Sequence, residues 1–200
     1  MTIESIIEKA GKLSAFPATA SALARVLSSG NTTIKQIVEV IEYDQAVTVD
    51  VLKYANSVAS ASYHRIATVR DATIRLGGVR ILEQIVAHNL KNRLKTALPA
   101  YGYREPDVWR HSVAAAVAAE EMLKCGISRE YGLSFTAALL HDIGKLFLSK
   151  GTSASQMKKV HDLVTNQKKT YTCVEAEKEV LGFSHAEVGA EVALEWQLPH

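Results

Sequence analysis

Three polar side chains stand where a helical reading expects apolar ones. His111 is followed by Ala114, Ala115, Ala118 and Met122 at +3, +4, +7 and +11, which puts its imidazole on an apolar stripe. Asp142 follows Phe135, Ala138 and Leu139 and precedes Leu146, so a carboxylate lies on a second apolar face. His185 shares a face with Val188, Gly189, Val192 and Trp196. Ser184 and Glu187 have the spacing of a capping box, so this imidazole stands at a helix start. An ionised carboxylate buried alone costs several kcal/mol, so Asp142 must be paired, protonated or bound to a cation. Two histidines and an aspartate facing inward suit a divalent ion such as Fe, Mn, Zn or Ni. His141 faces Ala137, Ala138 and Lys145 and offers one more imidazole. Lys145, on that same face, can pair with Asp142 or hold a phosphate. The spacing also fits a metal-free polar cluster, the commoner arrangement for inward histidines, with the histidines bonded to backbone and Asp142 paired to Lys145. Both readings stay open at this point.

The dipeptide His-Asp occurs again at His161-Asp162, which serves as a control. There the apolar stripe is Met157, Val160, Leu163 and Val164, flanked by Lys158 and Lys159. This second pair is read as solvated surface.

The elements that must position these groups are helical. Ile34, Ile37, Val38 and Ile41 form an amphipathic stripe, as do Val47, Val51, Leu52 and Ala55, and then Val79, Leu82, Ile85 and Val86. Strand alternation is scarce. Asn31-Thr32-Thr33 predicts a turn and helix cap, and Gly77-Gly78 closes a short helix that holds Ala72, Ile74 and Leu76. The segment from Thr96 to Asp107 concentrates prolines and a glycine between periodic stretches, with Pro106 suited to an early helix position. Residues 149–156, SKGTSASQ, read as a second polar connection. The expectation is an all-α bundle of two packed helical halves, 1–98 and 99–200, folding as one unit.

Composition narrows the function classes. Of 200 residues 48% are hydrophobic and 22% charged, as in ordinary globular proteins, which excludes wholesale disorder. Net charge is +2, too small to announce a nucleic-acid or membrane-surface binder. Between Arg65 and Lys95 basic residues are frequent, but Arg70, Arg75 and Arg80 fall on different helical faces and few aromatics interleave. A solvated charged face is therefore expected there, not a nucleic-acid surface. The longest uncharged run, 13–24, is too short to span a bilayer and contains Pro17. The opening MTIESIIEKA lacks a signal-peptide layout, and Cys125 and Cys173 are isolated thiols. A reduced, cytoplasmic setting is expected.

Several motifs, in order along the chain, carry a family resemblance. Ala138 to Lys145, ALLHDIGK, resembles the signature of the HD superfamily of all-α metal-dependent phosphohydrolases. The whole chain is more similar to the HDOD domain, an HD-related output domain of bacterial signalling proteins. Its features here are Phe16-Pro17, Ile41 to Asp44 with Leu52 and Ala55-Asn56-Ser57, and Ala72 with Leu76-Gly77-Gly78. Trp109 to Ser112 follows, and then Leu181-Gly182 with His185 to Gly189, Trp196, Leu198 and Pro199. The resemblance implies an HD-type site with His111, His141, Asp142 and His185 at ligand positions, holding a divalent metal (Fe, Mn, Mg, Zn or Ni) or none. The later aspartate ligand of HD phosphohydrolases and the glycine-tyrosine-proline motif of cyclic-di-GMP phosphodiesterases have no counterpart. What is implied is a regulatory signal-transduction module that acts on a signalling protein partner through protein–protein contacts. The alternative is a metal-dependent phosphohydrolase on a nucleotide or phosphodiester, with Lys145 clamping the phosphate as a catalytic residue.

Overall fold

Local sequence signals start the helices. In the computed structural model, which describes residues 2–11, 16–58, 65–126, 133–166 and 171–199, five helices open with complete capping boxes. Thr2, Thr33, Ser153, Thr172 and Ser184 each cap a backbone N–H three residues on, and the side chain there reaches back. Asp44 caps in another way. Its Oδ1 accepts from the Ala46 and Val47 N–H groups at 3.0 and 3.1 Å, and its Oδ2 accepts from the Thr19 hydroxyl at 2.9 Å.

The first helices are α1 (Ile3–Ala10), α2 (Ala18–Ser28), α3 (Ile34–Glu42), α4 (Gln45–Val58), α5 (Val69–Leu76) and α6 (Gly78–Leu94). A 3-10 turn at Pro99–Tyr101 leads to α7 (Asp107–Lys124), α8 (Ser134–Leu140) and α9 (Ile143–Gly151). Then come α10 (Ala154–Val164), α11 (Cys173–Leu181) and α12 (His185–Glu195). No strand occurs among the described residues, only one isolated bridge between Leu98 and Tyr103. The expected all-α fold is the fold found.

Helices α2 to α6 pack on one another around Leu23, Ile41, Val51, Leu82 and Val86. Helices α9 and α12 pack together around Leu146, Phe147, Val188 and Trp196, α8 packs on α7 and α6, and all these residues belong to one apolar core. Helix α1 packs along α9 and α12, not with its sequence neighbours. A Cβ on Gly151 would stand 2.6 Å from the Ile6 carbonyl oxygen, so α1 depends on a glycine in α9 for its approach. The Phe16 ring stacks on Trp196 with centroids 4.5 Å apart, and the buried Ser21 hydroxyl donates to the Trp196 carbonyl at 2.6 Å.

Several expectations need correction. Residues 149–156 are not a connection: α9 runs through Gly151 and α10 begins at Ala154, leaving Thr152 and the capping Ser153 between them. Pro106 precedes α7 as its N-cap. Ile74, placed within its helix correctly, points outward and is 59% exposed. His161 is half-buried, and its Nδ1 donates to the Ala100 carbonyl at 3.1 Å, pinning the 3-10 turn, while Asp162 is exposed. No helix is long and apolar enough to cross a membrane among the described residues.

Candidate metal centre

The ALLHDIGK segment is a broken helix. Helix α8 ends at Leu140, His141 caps it, and Asp142 is the N-cap of α9. The break turns His141 toward solvent and drives Asp142 inward, with side-chain exposures of 40% and 4%. The reading of Asp142 on an apolar face is right about burial, although the face is not that of one continuous helix. His111 differs more. The buried stripe of α7 is Val108, Ser112 and Ala116, while His111, Ala114 and Ala118 lie on the exposed side. Alanine at 114–116 and 118–119 makes nearly every face of this helix apolar, so the pattern could not select the inward one. His185 is buried with Val188, Val192 and Trp196, as expected, behind a complete Ser184–Glu187 capping box.

Glycine sets the distance between the two site helices. A Cβ on Gly144 would collide with the His185 carbonyl and stand 2.9 Å from the Gly189 nitrogen. Only glycine at 144 lets α9 and α12 approach closely enough to put His185 beside Asp142.

Asp142 is the hub. Its Oδ2 lies 2.7 Å from Lys145 Nζ, 3.3 Å from His111 Nε2 and 3.4 Å from His141 Nε2. The two imidazole Nε2 atoms are 3.2 Å apart. His185 Nε2 approaches the other oxygen, Oδ1, at 3.5 Å. The Asp142–Lys145 pair and a convergence of imidazoles on the same carboxylate thus occur together.

The triangle of His111 Nε2, His141 Nε2 and Asp142 Oδ2 passes a test of fit for a small divalent ion. Ligand bonds of about 2.1 Å place neighbouring donors roughly 3.0 Å apart in an octahedron and 3.4 Å apart in a tetrahedron. The observed edges span 3.2 to 3.4 Å. The donor chemistry agrees. His141 Nδ1 donates to the Ala138 carbonyl at 2.7 Å, so in the neutral ring Nε2 keeps its lone pair and faces the triangle. His111, His141 and Asp142 are therefore the residues that would hold the ion.

Glu177, Tyr101 and Tyr103 were not among the expected site residues. Glu177 is fully buried, and its carboxylate accepts from the His185 backbone N–H at 2.7 Å and from His185 Nδ1 at 2.7 and 2.9 Å. A signal existed, because Glu177 shares the apolar side of α11 with Cys173, Val180 and Leu181. Tyr101 and Tyr103 come from the proline-rich connection, and each turns its ring toward Lys145 Nζ at 5.6 Å from the ring centre. The buried Lys145 ammonium thus has one carboxylate and two aromatic faces around it. The Tyr101 hydroxyl is buried beside Glu177 without a hydrogen-bond partner among the described residues. Burial first, then the charge of Glu177, push its ionisation far above the ordinary range. Burial also raises the Cys173 thiol, with nearby Lys145 acting in the opposite direction.

The comparisons agree with this architecture. The HDOD domain pattern matches residues 13–200, and the chain belongs to the HDOD domain family. An HDOD domain protein of unknown function from Geobacter sulfurreducens is 26% identical, with a TM-score of 0.64, over 99% of this chain and 67% of that one. A candidate phosphohydrolase from Shewanella amazonensis SB2B is 24% identical, with a TM-score of 0.67, over 98% and 67% of the respective chains. No curated protein matches.

Proposed function

We propose that this HDOD domain is a regulatory signalling module built around an HD-like metal centre, and that it acts through protein–protein contacts. The observation that carries this reading is the buried ion pair. The carboxylate oxygen shared by both imidazoles is already compensated by Lys145 at 2.7 Å, and that ammonium is enclosed by Asp142, Tyr101 and Tyr103. A phosphate clamp needs a cation free to meet its ligand, and Lys145 has its partners inside the fold. The site therefore reads as one that fixes α7, α9 and α12 relative to each other. Large exposed apolar side chains on the mutually packed α3 to α5 segment, Ile34, Tyr43, Val49 and Ile74, support a partner-facing role. Near-zero net charge supports a protein partner over nucleic acid.

The second reading is a metal-dependent phosphohydrolase, favoured by the ligand-like spacing of the His111, His141 and Asp142 donors. An ion held there supplies Lewis acidity toward a phosphoryl oxygen. The residues of this chain would orient it, with His141 fixed by Ala138 and Asp142 fixed by Lys145.

One experiment separates the two readings. Protein purified without chelator is assayed for metal content and for hydrolysis of bis(p-nitrophenyl) phosphate and cyclic dinucleotides. The regulatory reading expects at most one ion per chain and no turnover. Turnover that disappears in His141→Ala overturns it in favour of the hydrolase.

A further inference from the structure

A cleft separates α8 from α12. Along α8 it is bordered by Leu133, Thr136, Ala137 and Leu140, spaced as one helical face. Ala186, Ala190 and Ala193 of α12 border it with the same spacing. The short side chains of α12 account for the opening, because alanine leaves empty the space that a leucine would fill. The cavity holds about 320 Å³, the share of roughly ten waters at about 30 Å³ each. Small-molecule clefts begin at about this size. It is too little for even one turn of a helix, about 10 Å across and about 5.4 Å long.

Thr136 marks the cleft as more than a packing gap. The residue is 4% exposed, and its hydroxyl has no hydrogen-bond partner among the described residues. The equally buried Thr73 behaves differently, donating to the Val69 carbonyl one turn back at 2.8 Å. Thr165 makes the same bond to the His161 carbonyl. A buried hydroxyl left unpaired is unfavourable, so a polar atom brought by a ligand finds both a donor and an acceptor there. Charge is missing from the walls. Among the described residues no Asp, Glu, Lys or Arg lines the cleft. His141 also lines it, but its Nδ1 is engaged with the Ala138 carbonyl and its Nε2 with His111. A charged head group would lose its hydration there and meet no counter-charge, whereas a neutral one loses far less.

We infer that this cleft binds a neutral amphiphile of roughly ten non-hydrogen atoms, of the class of medium-chain alcohols. Its aliphatic body lies between α8 and α12, and its polar head pairs with the Thr136 hydroxyl. The site needs no ion, and it gives the domain a small-molecule ligand in addition to any protein partner. Octan-1-ol is the probe, followed in ¹⁵N–¹H correlation spectra of the wild-type protein at pH 7. Saturable shifts are expected at the backbone amides of Ala137, His141, Gly189 and Ala193, all on the cleft walls. No saturable shift at these amides overturns the inference. So does a shift of the same amides that grows with protein concentration in the absence of the alcohol, because a second copy would then be the occupant. Octanoate has the same chain length and is ionised at this pH. It is expected to bind about tenfold more weakly or worse, and equal affinity overturns the neutral head group.

Two variants test the walls, with circular dichroism as a check of folding. Thr136→Val keeps the volume and removes the hydroxyl. It is expected to weaken octan-1-ol by roughly 2–12-fold, the worth of one hydrogen bond, and to leave benzene, which has no polar atom, bound as in wild type. It should also raise the melting temperature of the free protein, because a buried hydroxyl without a partner is replaced by a methyl group. A lowered melting temperature, or unchanged octan-1-ol affinity, overturns the role of Thr136. Ala190→Leu adds bulk at an exposed position on the cleft wall. It is expected to abolish binding of both probes without lowering the melting temperature. A folded Ala190→Leu protein that still binds octan-1-ol overturns the location.

Discussion

Asp142 concentrates more interactions than any other side chain near the centre, and its loss should show in two independent readouts. Asp142→Asn removes the anionic donor and leaves the buried Lys145 ammonium without its carboxylate. Breaking a buried pair on one side typically costs about 3–5 kcal/mol, and the flanking tyrosines place the expected loss near about 3 kcal/mol in urea unfolding. Added Mn²⁺ should raise the melting temperature of wild type and leave the variant unmoved, because only a state that binds the ion is stabilised by it. Equal shifts in both proteins would remove Asp142 from the ligand set. Asp44 offers a pH test far from this site. Bonds from the Val47 N–H, the Thr19 hydroxyl and the Ala46 N–H hold its ionisation below the ordinary value of 3.8, against a smaller opposing effect of burial. A carboxyl lowered in the folded state stabilises fully above its unfolded pKa, and that contribution fades as pH falls through the lower folded one. The stability difference between wild type and Asp44→Asn should therefore be constant above about pH 5 and shrink below pH 4. A difference independent of pH down to 2 would show that the carboxylate charge is irrelevant to the cap. Residue identity foretold burial for Asp142 and His185, but not the 45% exposure of His111, because an alanine-rich helix has no distinctive face. It also passed over Glu177, which lies among Lys178 and Glu179 and has the look of a solvated charge until its place on the inner side of α11 is seen.

At the scale of elements, the crossing of α9 and α12 decides whether there is a centre at all. Gly144→Ala puts a methyl group into the His185 carbonyl, and backbone cannot swing aside as a flexible side chain can. Overpacking usually costs about 1–3 kcal/mol, and a collision with backbone belongs at or above the top of that range. The expected result is a melting transition lowered by several degrees together with loss of metal response. Gly189→Ala is the matched control, since its added Cβ meets Ile143 Cγ2 at an ordinary 3.6 Å. If the two variants behave alike, close approach at Gly144 is not what positions His185. The helix starts at Thr33 and Ser184 were readable, because capping boxes are written in four consecutive residues and need no tertiary information. The break between α8 and α9 was not readable. Nothing local stops a helix at Leu140-His141; burial of Asp142 and its pairing with Lys145 do so, and both are tertiary.

Across the whole molecule, the packing ignores the division that the proline-rich connection suggests. Ile6 seats against Gly151, Phe16 stacks on Trp196, and the Ser21 hydroxyl is bonded to the Trp196 carbonyl. Residues 1–98 made alone should expose this apolar surface and melt broadly or aggregate, as seen by scanning calorimetry and light scattering. A monomeric fragment with a sharp transition would mean that the long-range contacts are dispensable. The same interlock bears on how the protein is made. A ribosome adds about 5–20 residues per second, so roughly 9–36 s pass between the appearance of Phe16 and Ser21 and that of their partner Trp196. Throughout that interval the first helix has no seat, and chaperone binding competes with nothing native for it. Nascent chains stalled at residue 150 should be cut readily by protease within residues 3–28, and chains released at full length should resist; early protection would show that the opening helices find shelter without the closing ones.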